Sequence, residues 1–434
     1  MAALTRRRPR LLFLCQTLPY PPDGGVWIRT YHVLRILARA FDITALCFER
    51  ATRGAAGAAH AADAAVAALR AIARVERFPL PQRGRPLRFA WDHMRSLSSG
   101  RVYTTYLYDS RAFAARLAHE LATQKFDLVH VDSLDLARFL PACRGRRVAV
   151  VHHDIESELL ARRAAVERAA WTRAYLRYQA RLMRAVERYW SPRVDLNVVC
   201  SERDASQLRA IAPRAGIEVV PNGVDLDAMQ PGEAAGRGIV YVGGTSPFPN
   251  LDALEYFCSE ILPAIRRRRP DEPVRWIGRA TADQQNRARR RFGVELTGYV
   301  DDAIPPMRSA ACHIAPLRLG GGTRLKILHA WALGKPVVGT SIACEGLAAE
   351  DGLNALVRDA PAAFADAVVD VLDNPALARQ LGSAGRDTAL RRYGWEAIGA
   401  RLTDTYLRLA GSKPDAAARD ANASRRHTAP AARA

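Results

Sequence analysis

Short apolar runs alternate with longer stretches of helical period along almost the whole chain. In the first half RLLFLCQ (10–16), DITALCF (42–48), ARVERFPLP (73–81), DLVHVD (127–132), RRVAVVHHD (146–154) and VDLNVVCS (194–201) read as strands. Near-continuous apolar runs of this length suit strands buried on both faces. Between them lie a glycine-containing turn and helix (19–41), an alanine-rich helix (55–74), a helix at 110–123 and one long helical pattern at 158–190. The rhythm restarts after IEVVPNGVD (217–225) with strands GIVYVGG (238–244), PVRWIGR (273–279), VELTGYV (294–300), CHIAPL (312–317) and KPVVGT (335–340). Helices are expected at 250–267, 281–292, 323–333 and 361–372, with one or two more over 375–409.

Strands alternating with helices imply parallel sheets covered on both faces. Two α/β halves of similar size, joined near 200–225, are the expectation, and 434 residues exceed what one core usually serves. Ligands in such sheets sit beyond the carboxyl ends of the strands, so a cleft between the halves is the default site. The final stretch, from GSKPDAAARD onward, lacks apolar periodicity and is expected to be disordered.

Composition narrows the classes. No apolar run approaches the ~20 residues of a spanning helix, and the basic N-terminus reads as a lead-in to the first strand rather than a signal peptide. Seven scattered cysteines without a C-x-x-C argue for a reducing, cytoplasmic setting and against a zinc cluster; no metal and no cofactor are expected. The net charge of +20 favours anionic partners, whether nucleic acid, acidic lipid or phosphorylated small molecules. No helix-turn-helix or RNA-binding signature accompanies it, so nucleic acid is not expected. The stretch 161–193 carries nine arginines against two glutamates, with Trp171, Tyr175, Tyr178 and Trp190. It reads first as a solvated helix face and second as a peripheral contact with an anionic inner-membrane surface.

Two glycine clusters fall at expected strand ends and open helices: Gly24–Gly25, and Gly320, Gly321 and Gly322. Backbone N–H groups at a helix start suit phosphate, a plain turn being the alternative; the spacing is neither the dinucleotide fingerprint nor a Walker loop. On a helical wheel Gly322, Lys326 and His329 share one side while Arg324 points away. Apolar neighbours make a solvated Lys326 unattractive, whereas His329 reads equally as a ligand or as a core histidine. VVHHDIESE (150–158) places His152, His153, Asp154 and Glu156 at another strand end, where histidine suits proton sharing or hydroxyl contact.

Together these pieces resemble the family 4 glycosyltransferases, the retaining GT-B group that includes sugar transferases of exopolysaccharide systems. The resemblance runs through PYPPDGGVWIRTYHVLRIL, VVHHDIESELLARR, VVPNGVD, YVGGTSPFPNLDAL, APLRLGGGTRLKILHAWALGKPVVGTSIACEGL, EDGLNALV, DNPALARQLGSAGR and RRYGWEAI, over roughly 10–410. It implies two Rossmann-like domains with parallel sheets facing a central cleft. Their expected bounds are 1–210 on the acceptor side and 211–392 for the nucleotide-sugar. A helix at 393–410 crosses back to the first domain, and the tail runs from 411 to 434. The partners implied are a nucleotide-sugar donor and a glycan or lipid-linked acceptor.

By the same resemblance His153 is the catalytic histidine, with His152 the fallback and Asp154 and Glu156 on the acceptor side. Gly24, Gly25, Gly321, Gly322, Thr323, Arg324 and Lys326 fall in the donor-phosphate region, Lys326 also being catalytic. Glu345, His329, Gly244 and Asn250 match nucleotide or sugar positions. The family commonly keeps glutamates where this chain has Gly321 and His329, and an arginine and a lysine where it has Gly244 and Asn250. Arg324 and Lys326 then supply most of the positive charge at the diphosphate.

Overall fold

The computed structural model describes residues 7–49, 58–232, 236–245 and 248–411. Of the tail expected to be disordered, 412–434 lie outside them and Gly411 ends the last helix; the start of the alanine-rich stretch lies outside them too. The chain forms two compact units, Met1–Val220 with Gly399–Ala434, and Pro221–Ile398.

The first unit is built on a seven-stranded, all-parallel sheet in the order β3-β2-β1-β4-β5-β6-β7. Its strands are β1 (Arg10–Cys15), β2 (Asp42–Glu49), β3 (Arg74–Pro79), β4 (Leu128–Val131), β5 (Val148–His152), β6 (Leu196–Val199) and β7 (Ile217–Val219). Helices α1 (Gly25–Leu37), α2 (Ala58–Arg70), α3 (Pro86–Ser99), α4 (Thr104–Leu107) and α5 (Arg111–Thr123) intervene, then α6 (Glu156–Val166), α7 (Ala170–Trp190) and α8 (Glu202–Ile211). Leu11 to Cys15 are all buried, as a central strand covered on both faces requires.

Two expectations change here. The helix at 158–190 is two helices that break at 167–169 and pack on each other. The hairpin is pinned where Ser157 donates from its backbone N–H (3.0 Å) and its hydroxyl (2.5 Å) to the buried Glu187 carboxylate. The stretch 217–219, placed by the sequence in the second domain, pairs with β6 and completes the first sheet.

The second unit holds a six-stranded parallel sheet in the order β10-β9-β8-β11-β12-β13. Its strands are β8 (Ile239–Val242), β9 (Val274–Ile277), β10 (Val294–Leu296), β11 (Cys312–Ala315), β12 (Val337–Gly339) and β13 (Leu356–Val357). The helices are α9 (Phe248–Tyr256), α10 (Leu262–Arg268), α11 (Ala282–Phe292), α12 (Ile304–Arg308), α13 (Leu325–Ala332) and α14 (Ser341–Cys344), followed by α15 (Pro361–Asp373) and α16 (Pro375–Arg392).

Helix α17 (Trp395–Gly411) closes the described chain. From Gly399 onward its residues belong to the first unit, where the buried Tyr406 hydroxyl lies 2.9 Å from His130 Nδ1. Among the described residues no helix is long and apolar enough to cross a membrane.

Candidate functional site

In the second unit β8 and β11 are neighbours, so their carboxyl ends lie side by side. The glycine cluster follows β11, but the helix behind it starts only at Leu325, with Arg324 at the N-cap. The wheel that turned Arg324 away from Gly322 therefore does not apply. Arg324 folds back instead, donating from Nη1 to the Gly322 carbonyl at 2.8 Å. A Cβ at Gly320 would sit 2.7 Å from the Arg324 guanidinium, and Gly320 and Gly322 hold φ of 139° and 61°. The loop needs its glycines to wrap an arginine. Thr323 is buried, its carbonyl accepting from Asn222 Nδ2 at 3.4 Å.

Lys326 leans from the first turn of α13 toward the loop after β8. Its ammonium donates to the Tyr241 hydroxyl and, at 3.1 Å, to Asn250 Oδ1, and lies 4.0 Å from the Tyr241 ring centre. Asn250 in turn donates to the Gly244 carbonyl at 2.9 Å, and Tyr241 stacks on Trp276 at 3.7 Å. Lys326, Asn250 and Gly244 are thus brought together. Burial, and then the charge of Arg324, hold the Lys326 ammonium well below the usual lysine range. An anion docked there would relieve both. Tyr241, which the sequence reading did not single out, is legible only as an aromatic one residue before the end of a buried strand.

His329 sits one turn further along α13, partly buried, and burial pushes its ring down to about 4, so it is neutral near pH 7. Among the described residues its ring has no hydrogen-bond partner. Gly321 is partly buried within the loop, and Glu345 caps the end of α14, partly buried as well.

In the first unit the carboxyl ends of β1, β4 and β5 are adjacent. Gly24 caps α1 and Gly25 is its first residue; a Cβ at Gly25 would meet nothing within 4 Å, which leaves open space at the helix start. His153, just past β5, brings Nε2 to 3.4 Å from Asp132 Oδ2, while His130 Nε2 lies 3.5 Å from Asp132 Oδ1. Thr30 of α1 donates to the same carboxylate at 2.8 Å. Burial alone would raise the Asp132 carboxyl, but the charge of His153 and hydrogen bonds from both rings hold it down at about 2.

The Nε2 atoms of both histidines thus face this one carboxylate. Burial chiefly pushes the His130 ring down, and its Nδ1 lies 2.9 Å from the Tyr406 hydroxyl.

His152 is a core histidine: its Nε2 lies 3.0 Å from Asn197 Oδ1, and burial pushes it down to about 4. That geometry singles out His153 from the pair. Asp154 precedes α6 and Glu156 is its first residue. Asp132 and Thr30 escaped the sequence reading. The one available signal for Asp132 was an acidic residue ending a buried strand beside that of the histidines.

Two family models match the chain: Glycosyltransferase Family 4 over residues 98–228 and Glycosyl transferases group 1 over residues 236–374. The phosphatidyl-myo-inositol mannosyltransferase of Mycobacterium tuberculosis H37Rv is 30% identical over 210 residues, which cover 44% of this chain and 54% of that protein. The chain thus spans about half the length of those curated relatives. The MMP alpha-(1->4)-mannosyltransferase of Mycolicibacterium hassiacum is 26% identical over 329 residues, 70% of this chain and 76% of its own. Among solved structures, HepE of Anabaena in complex with UDP-glucose superposes with a TM-score of 0.64 at 15% identity, covering 92% of this chain and 99% of that one. At that identity the likeness is one of fold: two parallel α/β sheets of the GT-B class.

Proposed function

This chain belongs to the group 1, family 4 glycosyltransferases, and we propose that it moves a sugar, with retention, from a nucleotide-diphosphate-sugar to a hydroxyl of a glycan or lipid-linked acceptor in cell-surface or exopolysaccharide synthesis. One contact carries the reading. The Lys326 ammonium lies 3.1 Å from Asn250 Oδ1, the position where the family commonly keeps a lysine of its own. A cation is thus returned to the start of α9 from a different element.

In the proposed reaction the bond from the anomeric carbon to the diphosphate oxygen breaks and the acceptor oxygen takes its place. Charge grows on the departing diphosphate. Lys326, Arg324 and the N–H groups of the glycine loop stabilise it, acting where water is scarce and electrostatic terms are large. His153, whose Nε2 faces Asp132, orients the acceptor hydroxyl and receives its proton. The names of the relatives and of the UDP-glucose-bound neighbour put mannosyl and glucosyl donors first among those to try.

Thermal-shift titration with UDP-, GDP-, CDP- and dTDP-sugars tests the donor. At least one is expected to raise the melting temperature, and no response to any would overturn the proposal. Donor turnover in wild type and Lys326→Ala then tests the phosphate role, with a loss of at least about 100-fold expected. The second reading is a weakly active or inactive nucleotide-sugar or glycan binder, favoured by Gly321 and the neutral His329 in place of two carboxylates. It predicts a thermal shift with turnover absent in wild type too.

A further inference from the structure

Strand β4 carries ionisable groups into the middle of a buried sheet. Its run LVHV leads directly to Asp132, and residues two apart on a strand share a face. His130 and Asp132 accordingly point the same way, with ring and carboxylate 3.5 Å apart. Helices α1 and α17 cover that side of the sheet so closely that a Cβ at Gly399 would sit 2.9 Å from Ile36. Each helix brings one hydroxyl to the pair. Thr30 of α1 donates to Asp132 Oδ2 at 2.8 Å, and the Tyr406 hydroxyl of α17 lies 2.9 Å from His130 Nδ1.

The His130 ring is gripped from a third direction. Phe13, its register partner in β1, stacks on it with centres 3.8 Å apart and planes inclined by 17°. Strand alternation also sorts the next two histidines, turning His152 to Asn197 and His153 to Asp132. Tyr406, His130, Asp132 and His153 thus run in line. The first three are buried and only His153, at the end of the line, is partly exposed. Packing alone needs neither the histidine nor the acid, since apolar side chains of similar volume fill such a strand without desolvating a charge.

We propose that Tyr406 is a positioning residue of the transferase site, acting through His130 and Asp132 on the orientation of His153. Without its hydroxyl, a buried ring nitrogen of His130 is left with no partner. The ring regains one only by turning, which takes Nε2 away from the carboxylate. Asp132 then keeps Thr30 but loses the group that fixes its other oxygen, and His153 faces an acid free to rotate. The last helix of the described chain is in this way part of the reaction centre without touching substrate. The effect on turnover rests on the transferase reading; the coupling between Tyr406 and His153 does not.

The test is a double-variant cycle of Tyr406→Phe and Asp132→Asn in the full chain, with His130→Gln as a second background. It is read first in turnover of whichever donor stabilises wild type in the thermal-shift titration. Tyr406→Phe should lower kcat about tenfold and leave the KM for donor and acceptor unchanged, as a slightly misplaced histidine would. In either background the same substitution should change kcat by less than about twofold. The cycle is read again without nucleotide, in the ring proton–carbon NMR signal of His153, assigned from its loss in His153→Gln. Tyr406→Phe should move that signal in wild type and leave it in place in both backgrounds. Additive losses of kcat would overturn the proposal, as would an unmoved His153 signal in Tyr406→Phe. A lower melting temperature with kcat unchanged would reduce Tyr406 to a packing residue and overturn it too. Wild type without turnover would remove the transferase reading, and the His153 signal alone would then decide the coupling.

Discussion

Lys326 is held at a cost to the fold. Its free-state ammonium sits well below the ordinary lysine range, with burial the first cause and Arg324 the second. A group whose charged form is disfavoured in the folded state weakens the fold at neutral pH and does so less as pH rises toward 10.5. Lys326→Met is therefore expected to raise the melting temperature by about 2–4 °C, the shift that ~1 kcal/mol gives in a unit of this size, while abolishing donor turnover. A fall in both would mean that the bonds to Tyr241 and Asn250 outweigh the buried charge. Binding an anion raises the lysine again, so donor binding in mildly alkaline buffer should take up protons. Calorimetry in buffers of different ionisation enthalpy reads that uptake directly, and equal heats would refute it. Glycines, lysine and histidines were visible in the sequence. The contact between Lys326 and Asn250 was not, because it joins the first turns of two helices, α13 and α9, whose proximity depends on β8 lying next to β11.

Helix α13 owes its position to what lies behind it. Gly382 and Gly385 of α16 face it; a Cβ at Gly382 would collide with the Gly334 carbonyl, and one at Gly385 with the Trp331 indole. Backbone cannot give as a side chain can. Gly382→Ala is thus expected to cost about 2–3 kcal/mol in urea unfolding, an overpacking penalty, and to lower donor affinity by moving Lys326. In the sequence LGSAGRD two glycines suggest a loop, whereas the structure keeps them helical for close approach. The α6–α7 break misleads in the opposite direction: VERAAW contains neither glycine nor proline, so periodicity runs straight through it. What holds the hairpin is the buried Glu187, which no local pattern announces. Losing both bonds from Ser157 in Glu187→Ala should cost about 2–4 kcal/mol by the same measurement. Strands were legible because burial on both faces writes an apolar run. Helix α3 was not read at all, because its apolar and polar faces are exchanged: Leu87, Trp91 and Met94 are exposed while Asp92 and Ser96 are buried.

For the whole molecule acid is the expected weakness. His152 and His313 are neutral in the fold, pushed by burial to about 4 against 6.5 unfolded. The unfolded chain therefore takes up protons that the folded chain refuses. Stability is complete above about 6.5 and is lost as pH falls toward about 4. Asp132, held at about 2 against 3.8, removes more at still lower pH. Melting temperature followed from pH 7.5 to 4.5 should fall steadily, and a flat profile would contradict the burial assigned to these rings. The two-unit, all-parallel plan was legible from the alternation alone. The boundary was not: β7 is three half-buried residues whose place is fixed only by pairing with β6.

The first unit takes its final helix from the end of the described chain. Ile36 of α1 packs against Gly399, and His130 Nδ1 meets the Tyr406 hydroxyl. During synthesis, then, the first sheet emerges and folds with this part of its surface uncovered while the entire second unit is made. The polar network around Asp132 closes only when the last turns of α17 arrive. The unit begun first is thus the unit completed last. Residues 1–220 produced alone should melt lower than the same unit in the full chain, and a peptide spanning 395–411 added in trans should restore part of the difference.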